Sequence, residues 1–264
     1  MGIPLIDAPL DSVPLWVLFL ATCVIIWLGL EGGYRLGKWR CIHAAEEKDA
    51  PVGAMVGPIL GLLAFLLAFT FGIATNLFIE RRLAVLEEAN AIRKTYLLSG
   101  LLPEPEQTTV ARLLREYVDV RLRGVEEGNV TEVITRSEEL HALIRDEAIK
   151  AKDKPGLNVT VPFIQSLHEM IAMHAKRVQV GTQSRIPGSI WMGLFVLALL
   201  GIAGVGYQAG VSGTRRSPIM PGLVLAFASV FFLIEDLNRE SEGFLRVSQK
   251  PMLELQRTMH AAKP

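Results

Sequence analysis

A chain of 264 residues that is 50% hydrophobic and 20% charged, with a mean hydropathy of +0.35, is too apolar on average for an ordinary soluble domain, so its apolar and charged residues must be segregated. Its 27 Lys and Arg balance 27 Asp and Glu, which removes the electrostatic ground for nucleic-acid binding, normally visible as a basic domain or stripe. Two cysteines, Cys23 inside an apolar run and Cys41 in the basic segment after it, do not make a disulfide framework.

Residues 1–13 form an N-terminal tail that carries Asp7 and Asp11 but no Lys or Arg, and so lacks the basic start of a signal peptide. About 20 predominantly apolar residues are needed to cross a hydrocarbon core as a helix. The run that is uncharged from Ser12 to Leu30 predicts a first, uncleaved span over 14–34. A basic loop, 35–50, holds Arg35, Lys38, Arg40 and Lys48 before a second span over 51–79. A third span covers 186–209, a short basic loop 210–217 holds Arg215 and Arg216, a fourth span covers 218–235, and 236–264 is a C-terminal helical extension.

Between the second and third spans, residues 80–185 read as a helical extramembrane domain. Val110, Leu113, Leu114, Tyr117, Val118, Leu122 and Val125 mark one apolar stripe at helical spacing, and Phe163, Ile164, Leu167, Ile171 and Val178 mark another. Gly124 and Gly128 read as a helix end, and Asn129 to Glu132 as a capping box opening the next helix. Pro103 with Pro105, and Pro155-Gly156, punctuate further breaks. Four helices follow, with the first and last continuing out of the second and third spans. The fold class is an all-α membrane protein: four transmembrane helices, a helical domain inserted between the second and third, and some spans extending into it.

Gly53, Gly57 and Gly61, and Gly206 with Gly210, fall at i, i+4, a spacing that lets helix backbones approach closely. Phe65, Phe69, Gly72 and Asn76 share one stripe of the second span, apolar at one end and polar at the other. Lining a pore, that stripe would form an aromatic constriction with a polar mouth; packed or lipid-facing aromatics are the plainer alternative. Arg81, Arg82, Glu87, Glu88 and Asn90 follow the second span, and Glu235, Asp236 and Arg239 close the fourth. In a four-span layout both sets lie on one side of the membrane, where they can form structural salt bridges. Glu235 and Asp236 are also candidate metal ligands, since hard cations such as calcium favour several oxygens.

No catalytic signature survives, and an enzyme is not expected. His168-Glu169 opens like a zinc-protease helix, but the second histidine would fall at Ala172. His174 stands about 240° around a helix from His168, so both read as ordinary residues of an amphipathic helix. No resident cofactor is implied by these residues.

Several segments carry more information than their periodicity. Ala68-Phe69-Thr70-Phe71-Gly72, running on through Glu80-Arg81-Arg82 to Glu87-Glu88-Ala89-Asn90-Ala91-Ile92, resembles the bestrophin-like domain family of bacterial four-helix membrane proteins. So do Arg115-Glu116-Tyr117-Val118-Asp119, Arg185-Ile186-Pro187, and Glu242-Gly243-Phe244 with Arg246-Val247-Ser248-Gln249-Lys250-Pro251. The resemblance implies an oligomer, pentameric by analogy with bestrophins, conducting inorganic ions with Phe65 and Phe69 in a hydrophobic neck. It would set Glu235 and Asp236 where some bestrophins hold calcium, although Asn238 stands here where family members commonly show Asp.

The partners so expected are the lipid bilayer, further copies of the chain and inorganic ions, in a bacterial inner membrane. Loop charges place the termini and the 80–185 domain outside the cytoplasm, whereas the bestrophin analogy implies the cytoplasm; the charge-based orientation is retained. The competing function is a non-conducting sensor or interaction protein whose 80–185 helices bind a ligand or partner.

Overall fold

The structure, a computed structural model, describes residues 13–43, 50–127, 129–152, 160–213, 219–239 and 243–261. Among them there are eight helices and no strand. They are α1 (Leu15–His43), α2 (Ala50–Ser99), α3 (Glu106–Glu127), α4 (Val130–Lys152), α5 (Thr160–Thr182), α6 (Gly188–Val211), α7 (Ile219–Asn238) and α8 (Lys250–Ala261). The all-α class with an inserted helical domain is thus the observed one. Four helices, α1, α2, α6 and α7, are long and apolar enough to cross a membrane.

The chain divides into two compact units. One is built from Ile6–Leu77 with Arg185–Leu245 and contains the apolar helices; the other is built from Phe78–Ser184 with Arg246–Pro264. Helix α2 belongs to both. Its 50 residues rise about 75 Å at 1.5 Å per residue, more than twice a hydrocarbon core of about 30 Å.

In the apolar unit, α1 and α6 pack backbone to backbone. A Cβ added to Gly33 or Gly37 would overlap the carbonyl of Ala203 or Tyr207, and one added to Gly206 or Gly210 would overlap the carbonyl of Leu30 or Tyr34. The pair Gly206 and Gly210 is therefore an intramolecular packing seam, met by Gly33 and Gly37, whose role the sequence reading missed. Gly57 and Gly61 have nothing within 4 Å, and the surroundings of Gly53 lie outside the described residues. Ile26, Leu30, Ile202, Val224 and Ala228 complete the core of α1, α6 and α7. Hydroxyls inside the span find acceptors in their own helix: Thr70 donates to the carbonyl of Leu66 and Thr75 to that of Phe71, so neither is left unpaired at membrane depth.

The second unit packs α3, α4, α5, α8 and the end of α2 around one core that includes Ile92, Leu114, Tyr117, Ile144, Phe163, Leu167, Met252 and Met259. Both predicted stripes turn inward, except that Val125 is 49% exposed. Half of the capping box forms: Asn129 Oδ1 accepts the Glu132 N–H at 3.4 Å, while the Glu132 carboxylate takes the Asn129 side-chain amide, with Nδ2 2.6 Å from Oε2, in place of the backbone N–H that a full box would use. Gly124 lies within α3, where a Cβ would run into Val133 of α4; it marks a close helix crossing and not a helix end. Pro155-Gly156 and Gly128 lie outside the described residues.

Several boundaries differ from the sequence reading. Helix α7 runs to Asn238, three residues past the expected end, and beyond it the C-terminal extension is helical only over Lys250–Ala261 among its described residues. Three further differences concern α1, α5 and α6. Helix α1 runs to His43, so Arg35, Lys38 and Arg40 ride on helix where a loop was expected, because no Gly-Pro or Pro signal interrupts them. Helix α5 does not continue into α6; residues 183–187 break the helix. Pro187, with ψ 140°, occupies the N-cap of α6, where a residue without an N–H costs least. Helix α6 also extends to Val211, two residues past the expected end.

Candidate functional site

The residues singled out by sequence fall into two environments. Along α2, Phe65 is 65% and Phe69 62% exposed, and Gly72 and Asn76 are exposed beside them. All four lie on one helical face. Large aromatics left open on a membrane-length helix are a face that the described residues do not cover.

At the end of α7, the polar residues are used to shape the chain. Asp236 is 1% exposed; its Oδ1 accepts the Phe244 N–H at 2.8 Å and its Oδ2 the Leu245 N–H at 3.3 Å. Gly243 adopts φ 146° with Asp236 where a Cβ would stand, so glycine is required both for the conformation and for the approach. Asn238 Oδ1 accepts the Ile186 N–H at 3.0 Å, an acceptor's task that the carboxylate of an Asp could also perform. Arg239 is 4% exposed, with its Nε 3.4 Å from Glu235 Oε1. Among the described residues no three His, Cys, Asp or Glu side chains converge as a metal site.

The second environment is a buried charged network in the helical unit. Glu88 on α2 is fully buried. Arg121 of α3 stands with Nε 3.1 Å from its Oε1, and Arg177 of α5 with Nη1 2.5 Å from its Oε2. The Tyr117 hydroxyl donates to Oε1 at 2.7 Å and lies 3.0 Å from His174 Nδ1. Because the phenol has a single hydrogen and gives it to Glu88, the network assigns the proton of His174 to Nδ1, which donates to the phenol oxygen. His141 of α4 closes the cluster, its ring centroid 4.8 Å from Tyr117 and 4.9 Å from His174. Four helices thus contribute to one site.

Burial alone would push the Glu88 carboxyl up, but Arg121, the hydrogen bond with His174, Arg177 and the Tyr117 hydroxyl outweigh it and hold the group well below the usual carboxylate range. Burial, the neighbouring carboxylate and its hydrogen bond push the Tyr117 phenol well above its ordinary value, against the pull of both arginines. His141 is lowered to about 4, chiefly by burial and then by His174, with Glu88 opposing and Arg121 adding to the shift. Its Nε2 has no hydrogen-bond partner among the described residues. The arrangement is a carboxylate kept ionised by two guanidiniums, beside an imidazole kept neutral.

Of the other expected interface charges, Arg81 is buried, its Nη2 donating to the carbonyl of Ser184 at 2.7 Å. Glu87 pairs with Lys176 at 2.6 Å on the surface, and Arg82 and Asn90 are exposed. Each observed partner lies within the residue's own unit. The sequence reading missed Arg121, His141 and Arg177 altogether and treated His174 as ordinary. The available signal was a polar side chain on an apolar stripe: Tyr117 and Arg121 are four apart on α3, and His174 and Arg177 three apart on α5. A second link fastens the C-terminal helix to this unit. Arg177 also donates to Gln249 at 3.0 Å, just before α8, and Arg115 donates to the carbonyl of Met259 and to the Tyr96 hydroxyl, both at 2.9 Å.

Comparison with known proteins is consistent in both sequence and fold. A family model described as the Bestrophin-like domain matches residues 23–252. No curated protein matches the chain. Among solved structures, a bacterial bestrophin homologue from Klebsiella pneumoniae carrying a point mutation superposes with a TM-score of 0.64 at 13% identity, over 94% of this chain and 98% of that one. Two structures described as membrane proteins, also point mutants, superpose at 0.57 and 0.56, each at 13% identity. They cover 93% and 94% of this chain, and 98% and 97% of their own.

Proposed function

The chain belongs to the bestrophin-like domain family, and from that premise we propose that it assembles as a ring of identical copies, five by analogy with bestrophins, and conducts inorganic ions across a bacterial inner membrane. The observation that carries the reading is the open face of α2, where Phe65, Phe69, Gly72 and Asn76 are exposed along one line. Around a common axis, that line supplies a water-compatible amide at one depth and a narrow aromatic collar at another. An apolar collar gates by excluding water, so its width sets the barrier to a hydrated ion. The buried Glu88 network supports the same reading indirectly: it holds α2, α3, α4 and α5 in one register, so the far end of α2 is rigidly based.

The test is ion flux through purified full-length protein in liposomes. Phe69→Ala widens the collar and raises flux, and Asn76→Ala lowers it by removing the polar station. Absence of flux for a range of monovalent ions, from protein shown to be an intact oligomer, would leave the non-conducting sensor in its place.

A further inference from the structure

We propose that residues 78–99 of α2, the stretch that belongs to the helical unit, form an in-register parallel seam with the same residues of a second copy of this chain. The inference rests on the reading of the protein as a ring of identical copies, and it names the helix face that meets in that ring. Ile79, Leu83, Leu86, Asn90, Arg93 and Leu97 are all exposed, the four aliphatics among them by 43% to 68%. They recur at alternating steps of four and three, the a and d pattern of a coiled coil, with Leu83, Asn90 and Leu97 at a and Ile79, Leu86 and Arg93 at d. The opposite side of the same helix is already occupied: Val85, Glu88, Ile92 and Thr95 are buried in the unit's own interior.

The same pattern selects the occupant. A lipid-facing surface would not carry Glu80, Arg82, Glu87, Arg93 and Lys94 so closely spaced, whereas a second α2 offers the same row of leucines in return. Copies inserted in one membrane share an orientation, so the two segments run parallel. Asn90 is the one amide in the row, and a single Asn at an a position fixes register by meeting its own counterpart. Arg93 can lay its stem along the seam and keep its head in water. In a parallel seam a g residue faces the e residue of the next heptad in its neighbour, which here sets Arg82 against Glu87. Arg82 is exposed and makes no ion pair among the described residues. Glu87 holds Lys176 through Oε2 alone, in a half-exposed surface pair of the kind that contributes little, so its other oxygen remains for the guanidinium.

The experiment places single cysteines in the full-length chain, with Cys23 and Cys41 replaced by alanine, and treats membranes with a short bismaleimide. Leu83→Cys and Leu86→Cys should give covalent dimers about tenfold faster or more than Leu143→Cys, an exposed position on α4, because a seam raises the local concentration of facing thiols. Arg82→Glu in the Leu86→Cys chain should slow the reaction, and Arg82→Glu together with Glu87→Arg should restore it, which proximity without the paired charges would not produce. The mass of the purified assembly is measured alongside. An oligomer in which neither Leu83→Cys nor Leu86→Cys outpaces Leu143→Cys would overturn the seam and leave the ring standing, whereas a monomer would remove both. A charge exchange that fails to rescue the Arg82→Glu chain would overturn the parallel register.

Discussion

The hydroxyl of Tyr117 donates a 2.7 Å hydrogen bond to Glu88, and both side chains are completely withdrawn from solvent. That bond sits inside a larger compensation, because two guanidiniums also face the same carboxylate. Removing the carboxylate strands both. Glu88→Ala should therefore cost about 3–5 kcal/mol of stability, whereas Tyr117→Phe, which deletes one bond to an already paired ion, should cost about 1–3 kcal/mol. Unfolding in detergent followed by circular dichroism measures both; a Glu88→Ala chain no less stable than Tyr117→Phe would contradict the network's central role.

His141 gives the helical unit a defined acid sensitivity. Its value falls from the ordinary histidine range to about 4 on folding, so between about 6.5 and 4 the unfolded chain binds a proton that the folded chain refuses. The contribution of neutral His141 is complete above that window and is lost as pH falls through it, by an amount on the order of 3 kcal/mol. The groups facing it are Tyr117 and Arg121 on α3, His174 on α5 and Glu88 on α2. Glu88, held below its ordinary range, loses its own contribution only at lower pH. His141→Phe should flatten the slope of stability against pH between 6.5 and 4; an unchanged slope would assign it elsewhere.

Adjacent glycines on α1 test the packing seam. A Cβ on Gly33 overlaps the carbonyl of Ala203, while one on Gly32 meets nothing within 4 Å. Gly33→Ala should destabilise the chain by about 1–3 kcal/mol through forced separation of the helices, and Gly32→Ala should be neutral or slightly stabilising. Thermal unfolding of the two variants side by side makes the comparison. Equal melting points would show that the seam yields without cost.

Orientation can be read from one thiol. Cys41 is exposed near the end of α1, while Cys23 lies within the apolar helix. The loop-charge orientation predicts that a membrane-impermeant maleimide labels a Cys23→Ala chain only after the membrane is opened or inverted. Labelling from the outside of intact cells would instead favour the arrangement that the bestrophin analogy implies.

Much of the architecture was legible because it is local. Four spans announce themselves by apolar length, the Asn129–Glu132 box by spacing, and the α2–α3 break by Pro103 and Pro105, each within a few residues of its effect. Glu88 was legible only as a charge at a membrane edge. Its partners lie 29 to 89 positions away, and a lone Glu or Arg on an amphipathic helix ordinarily belongs to the solvated face. The four-span, all-helical layout was thus determined by the sequence alone, since a bilayer demands internally bonded backbone over a set length. Which glycines face another helix, and which carboxylate is drawn inside, was decided by the tertiary structure. Both depend on the rotation of one helix against another, and no local pattern encodes that angle.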